Sequence, residues 1–261
     1  MCGRYTLSVS NRPELKGVGL HVVDRFNIAP QSDVLVYDSE RKLQNMRWDY
    51  APPWAQKPLH LNNARAETLR EKPAFRGALR CVFLADGWYE WQRQGTRKIP
   101  YYHHAQGELL YFAGIYNRQS GCAIVTREAR ENIAFVHHRQ PVLLDLRAVD
   151  HWLEGHDLFA SAITNRIECH PVNTAVNQPS NDYRDLIKQV DLSPTPKRPA
   201  PYTLKRHRAK LPEEAYNSPV QTVLPTAPIG AAKAASKLNA SDEKKDFKAV
   251  VKPQKSGDLF D

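Results

Sequence analysis

Short apolar runs of strand length, separated by turn residues, recur along the first 190 positions, while helical spacing is confined to a few windows. Val34-Leu35-Val36-Tyr37 reads as a strand closed by Asp38-Ser39. Met46-Arg47-Trp48-Asp49-Tyr50-Ala51 alternates like another before Pro52-Pro53 stiffens the chain. Arg80 to Ala85 is a strongly apolar strand broken by Asp86-Gly87, after which Trp88-Tyr89-Glu90-Trp91 resumes the pattern. Ile99 to His104 and Leu109 to Tyr116 are expected to pair as a hairpin across Ala105-Gln106-Gly107-Glu108. Strands over Cys122 to Thr126 and Val136 to Leu144 follow. A first short helix is expected at Pro13 to Lys16, and a second after Thr68, where Thr68 and Glu71 have capping-box spacing. The third runs from Leu146 to Glu154, capped by Asp145, stopped by Gly155, and apolar along Leu146, Val149 and Leu153.

Beyond residue 190 this pattern stops. All five Trp lie at or before position 152, whereas 9 of the 19 Pro fall in the last 71 residues, where Pro194, Pro196, Pro199 and Pro201 precede the basic run Lys205-Arg206-His207-Arg208. Such composition buries too little apolar surface to offset the entropy of ordering. A folded domain over residues 1–190 and a disordered basic tail over 191–261 are therefore expected. The net charge of +9 divides into +4 on the first 190 residues and +5 on the tail, which suits either a solvated surface or a polyanionic partner. Cysteines 2, 81, 122 and 169 have no CxxC pairing, so no metal site and no disulfide framework is expected, and the compartment is read as reducing and cytoplasmic. No apolar run approaches the roughly 18 residues of a membrane span, so no membrane partner is expected.

The chemistry is concentrated at Met1-Cys2-Gly3-Arg4. Removing Met1 would leave one residue carrying both a thiol, of ordinary pKa about 8.5, and an α-amine, of about 7.7 to 8.0. An aldehyde could condense with the amine, and the thiol could then close a five-membered thiazolidine, which no internal cysteine can do. Two other readings stand beside this one. Cys2 could be a small buried hydrophobe, or the nucleophile of a class II glutamine amidotransferase, whose chains also begin Met-Cys-Gly.

Several later positions have polar groups suited to a sugar-phosphate partner. Asn63 and Arg65 would point the same way on an extended segment, an amide beside a guanidinium. Glu90, between aromatic residues, is either a partly desolvated acid/base or an edge carboxylate facing water. Trp54, after two prolines, either fills a core edge or offers a stacking platform for a base. His137-His138-Arg139 sets two imidazoles and a guanidinium against a strand, whereas His103-His104 reads as structural.

These motifs together resemble the SOS-response-associated peptidase family, also called the abasic-site processing proteins. Cys2-Gly3-Arg4-Tyr5, Asn63-Ala64-Arg65-Ala66-Glu67, Gly87-Trp88-Tyr89-Glu90-Trp91 and His137-His138-Arg139-Gln140-Pro141 match the family's blocks in order, and Phe26-Asn27-Ile28-Ala29-Pro30 and His170-Pro171-Val172 also fit. Asp49 and Gln140 depart from the family pattern at positions that bear on loop shape. The resemblance implies an α+β fold of mostly antiparallel strands in a barrel-like core with peripheral helices around a groove for single-stranded DNA. It implies capture of an abasic-site aldehyde by Cys2 as a covalent DNA–protein crosslink. Asn63, Glu90 and His137 would assist catalysis, and Arg4, Arg65, Arg139 and Trp54 would bind DNA. It implies no cofactor, a monomer, and a nucleoid association if the source is bacterial. A cysteine-dependent peptidase and a non-catalytic single-stranded DNA-binding module remain the alternatives. Leu259-Phe260 in the tail resembles the end of a sliding-clamp-binding peptide.

Overall fold

A computed structural model describes residues 2–10, 12, 15, 23–57, 59–157 and 165–192. Pro13, Glu14 and Lys16 of the first expected helix, the tail beyond residue 192 and the clamp-like Leu259-Phe260 lie outside the described residues. The strands are β1 Arg4–Leu7, β2 Arg25–Ile28, β3 Asp33–Tyr37, β4 Leu43–Arg47, β5 Asn63–Arg65, β6 Leu79–Ala85, β7 Gly87–Gln94, β8 Arg97–His104, β9 Leu110–Asn117, β10 Gly121–Glu128, β11 Arg139–Pro141, β12 Leu143–Leu144 and β13 Glu168–Pro171. Two α-helices, α1 Glu131–Ala134 and α2 Leu146–Leu153, accompany them among the described residues. No helix of the described residues is long and apolar enough to cross a membrane.

The strands form two sheets, ordered β13-β8-β7-β1-β2 and β11-β10-β9-β6-β3-β4, with β12 paired to β9 and β5 to β10. Every ladder is antiparallel except β5–β10. The expected antiparallel α+β character is present, but the described sheets do not close into a barrel. Aromatic residues fill the space between them: Tyr5 sits 5.4 Å from Trp48, 6.3 Å from Phe83 and 6.2 Å from Phe112, edge to face, and Trp88 meets Phe112 at 5.8 Å. Such pairs each add about 0.5–1.5 kcal/mol beyond the area they bury.

Two of the crossings between the sheets are made at short turns in mid-chain. Asp86 ends β6 in the larger sheet, and Gly87 starts β7 in the smaller; a Cβ at Gly87 would stand 2.6 Å from the Tyr102 ring, so glycine alone permits this approach. The second change overturns the expected hairpin. β8 pairs with β7 and β13, whereas β9 pairs with β6, β10 and β12, so residues 105–108 carry the chain from one sheet to the other. The local hairpin is instead β7–β8, turned by Gly95 at φ 59°.

The helix expected after Thr68 is also absent. Ala66–Thr68 forms one 3₁₀ turn with no side-chain cap, and Lys72 is extended at ψ 125° before Pro73. Proline disfavours helical geometry in the preceding residue, which leaves too few positions for an α-helix. The third expected helix does form: Asp145 accepts a hydrogen bond from the Ala148 N–H at 2.9 Å, and Gly155 ends α2 at φ 97°. Val149, Trp152 and Leu153 face the core, while Leu146 is exposed rather than on the buried stripe.

Candidate active site at the amino terminus

The first strand lies inside its sheet. β1 is flanked by β2 and β7, so Arg4, Tyr5 and Thr6 face Tyr89, Trp88 and Gly87 across one ladder while the other ladder holds Tyr5 and Leu7. Cys2, just ahead of β1, is thereby fixed against β7 and fully buried. Extending the antiparallel register by one step sets Gly3 level with Glu90. Strand alternation then turns Glu90 to the same side as the buried Trp88, into the space between the sheets, and the carboxyl is 3% exposed.

The larger sheet contributes from the opposite side. β5 pairs with β10 in parallel, and its Asn63 donates from Nδ2 to the Cys2 carbonyl at 2.9 Å, linking the larger sheet to the backbone just ahead of β1. Asn63 Oδ1 is buried and accepts no hydrogen bond, which leaves an acceptor at the site. His137 follows α1, and its Nδ1 lies 3.9 Å from Glu90 Oε2. Two Arg139 backbone groups stand near that Nδ1, the N–H at 3.0 Å and the carbonyl at 3.2 Å.

Burial dominates the electrostatics. It pushes the Glu90 carboxyl up to about 7, against the positive charge of the amino terminus. It also raises the Cys2 thiol above its ordinary range, and the nearby Glu90 charge adds to that rise. His137 moves the other way, to about 4, because burial and then the amino-terminal charge disfavour the imidazolium. At pH 7 the site therefore holds a protonated thiol, a carboxyl near its midpoint and a neutral imidazole. The Glu90–His137 contact is accordingly not an ion pair.

The other expected site residues are placed unequally. Arg65 shares the Asn63 face of β5 and is exposed, and its side chain makes no hydrogen bond or ion pair with any described residue. Arg4 is half-buried, and one guanidinium nitrogen donates to Asn27 Oδ1 at 2.8 Å and to the Val176 carbonyl at 3.0 Å. Arg139 is 8% exposed and holds Glu67 bidentately at 2.8 and 3.0 Å, with a further bond to the Thr126 carbonyl at 2.6 Å, so its charge is paired with groups of its own chain. Trp54 is 62% exposed, which rules out the core-edge reading.

Residues 1–179 match the model of the SOS response associated peptidase (SRAP) family. The chain belongs to the SRAP family. It is 31% identical to abasic site processing protein HMCES of Gallus gallus, over 73% of this chain and 68% of that protein. It is 30% identical to abasic site processing protein YedK of Escherichia coli K12, over 73% of this chain and the whole of that protein. Abasic site processing protein YoaM of Bacillus subtilis is 32% identical over 72% of this chain and 97% of its own length. The fold resembles a crystal structure from Bacteroides thetaiotaomicron (TM-score 0.56, 20% identity, 65% of this chain and 87% of that one). It also resembles a phage-related protein from Bordetella bronchiseptica (TM-score 0.55, 25% identity, 66% and 95%).

Other polar residues, which their motifs alone did not mark as functional, brace this candidate site. Asn27 is 1% exposed on β2; its Nδ2 donates to the Val176, Gln178 and Asn181 carbonyls at 3.2, 3.1 and 2.7 Å, and its Oδ1 receives Arg4. This one amide ties residues 176–181 against the first strand. Glu67 and Thr126 hold Arg139 and so set the backbone that carries His137. A polar residue inside an apolar strand, as in Phe26-Asn27-Ile28, was the available signal for Asn27. For Thr126 there was none, since threonine is ordinary in strands.

Proposed function

We propose that this SRAP chain captures abasic sites in single-stranded DNA as a covalent thiazolidine through Cys2, exposed as the amino-terminal residue once Met1 is removed. The observation that supports this reading is the joint placement of Cys2, Glu90 and Asn63. A residue able to present both an amine and a thiol is held by its carbonyl beside a buried carboxyl whose pKa is raised to about 7. The relatives' description as abasic site processing proteins points to the same lesion.

The ring-opened deoxyribose offers an aldehyde at C1′. The neutral Cys2 amine adds to it to give a carbinolamine. Protonated Glu90 then gives its proton to the departing hydroxyl, one water leaves, and an iminium remains. The Cys2 thiol is still protonated, because burial raises its pKa. Glu90, now ionised, takes that proton as sulfur bonds to the iminium carbon, which restores the acid and closes the ring. One carboxyl with a pKa near the working pH serves both steps. Asn63 Oδ1 accepts from the amine or a sugar hydroxyl, neutral His137 hydrogen-bonds the sugar or its phosphate, and exposed Arg65 holds a flanking phosphate.

The test is to incubate the purified protein with an abasic oligonucleotide and look for a denaturation-resistant shifted band. Its mass should equal protein plus DNA minus one water. A form retaining Met1, verified by intact mass, keeps the thiol but ties the amine into a peptide bond, and its stable band should disappear. A wild-type rate of heat-stable crosslinking by that form would overturn the thiazolidine. Cleavage of unrelated peptides with no DNA adduct would favour a peptidase.

A further inference from the structure

At the far end of α2, His151, Glu154 and His156 bring three potential ligand atoms within 4.8 Å of one another, and none of these residues belongs to the Cys2 site. We propose that this cluster is a binding site for a borderline divalent transition-metal ion of the zinc type, with water completing its coordination.

The backbone builds the cluster. Gly155 donates to the Trp152 carbonyl and His156 to the His151 carbonyl, both at 3.0 Å, the paired bonds of a Schellman motif made possible by Gly155 at φ 97°. That motif folds the second residue past the helix back over the third from its end, a contact usually made by two apolar side chains. Here it is made by two imidazoles, whose centroids lie 5.8 Å apart. Helical spacing of three adds Glu154 beside His151. Glu154 Oε2 thus stands 3.7 Å from His151 Nδ1 and 4.0 Å from His156 Nε2.

Arg41 fixes which carboxylate oxygen is presented. Its Nη2 lies 3.5 Å from Glu154 Oε1 and its Nε donates to Asp150 at 2.8 Å, so Oε1 is directed to the guanidinium while Oε2 faces both imidazoles. A group that orients a metal-binding carboxylate from outside is a regular part of such sites. Tetrahedral zinc, with ligands at about 2.0–2.2 Å, needs donors about 3.4 Å apart. Exposed side chains on a fixed backbone close that gap by small rotations. Two imidazoles and one carboxylate select this class over calcium or magnesium, which take oxygen donors.

The full chain titrated with zinc chloride in a calorimeter should bind one ion at this site, and zinc should raise its unfolding temperature. His156→Asn or His151→Asn should weaken binding at least about tenfold, and Arg41→Ala by about tenfold, the range for a residue that orients a ligand. All three positions are exposed, so the variants should fold. X-ray absorption should report nitrogen and oxygen neighbours and no sulfur, and Cys2→Ser should leave the affinity unchanged. Unchanged affinity in both histidine variants, sulfur in the coordination shell, or no zinc bound by the wild-type chain would each overturn the proposal.

Discussion

Glu90 shows most directly how burial becomes chemistry. Its carboxyl, 3% exposed and raised to about 7, loses its acid form above pH 7, while a free α-amine of ordinary pKa about 8 loses its neutral form below pH 8. Crosslinking rate plotted against pH should therefore be bell-shaped with its maximum between these values, and Glu90→Gln should lower it by about 10²–10⁴ and remove the fall on the alkaline side. The same shift has a cost in stability. Because the folded state holds this proton more tightly than the unfolded one, the penalty is absent below about pH 4.5, grows as pH rises, and is complete above about 7. Glu90→Gln should then be more stable than wild type at pH 8 by up to about 3 kcal/mol, and nearly equal to it at pH 4, as read by chemical denaturation. The two arginines make a contrasting pair. Arg65→Ala should weaken binding to every single-stranded sequence alike and reduce the salt slope by about one. Arg139→Met removes no phosphate contact but leaves Glu67 and the Thr126 carbonyl without their donor, so it should lower the unfolding midpoint while the salt slope stays unchanged.

Among the elements, β7 has the most consequences, since it holds β1 on one side and β8 on the other and carries Glu90 between them. Gly87→Ala would press a methyl group into the Tyr102 ring and the β8 backbone, which cannot rotate away, so the β7–β8 register should shift. The expected result is a loss of several kcal/mol in stability and of crosslinking together, measured by denaturation and gel shift on one preparation. α2 provides the opposite case. Asp145→Ala removes a cap bond of 2.9 Å and should cost about 1 kcal/mol, with crosslinking at the wild-type rate because α2 packs chiefly on β6, β9 and β12.

At the scale of the whole molecule, Cys2 is fully buried beside the sheet that carries β1, so the proposed capture requires a sugar turned out of any base stack. Crosslinking should favour single-stranded or junction DNA over intact duplex and show little base preference; equal rates on duplex would count against this arrangement. A chain ending at residue 192 lacks residues 193–261, where 13 Lys/Arg against 7 Asp/Glu give a net charge of +6, but keeps every site residue. It should form the same crosslink, with the difference confined to salt-dependent affinity, and a chain inactive at low salt would show that the tail belongs to the site.

Much of this was legible in the sequence because it depends on local rules. The strand runs Val34–Tyr37 and Arg80–Ala85, the Asp145 cap and the Gly155 stop all rest on alternation, capping and positive φ, which a few neighbouring residues determine. So does the reactivity of a cysteine freed at the amino terminus. Partner choice is not local. Turn residues at 105–108 announced a reversal, yet β8 and β9 went to different sheets because each had a better partner elsewhere, β7 across Gly95 and β6 through seven paired positions. Likewise, no pattern around Arg139 distinguishes a guanidinium facing DNA from one facing Glu67, and Glu90 read equally well as a buried acid or a wet edge. Only the packing of the second sheet over the first decided these, because desolvation and ion pairing depend on atoms brought from distant parts of the chain.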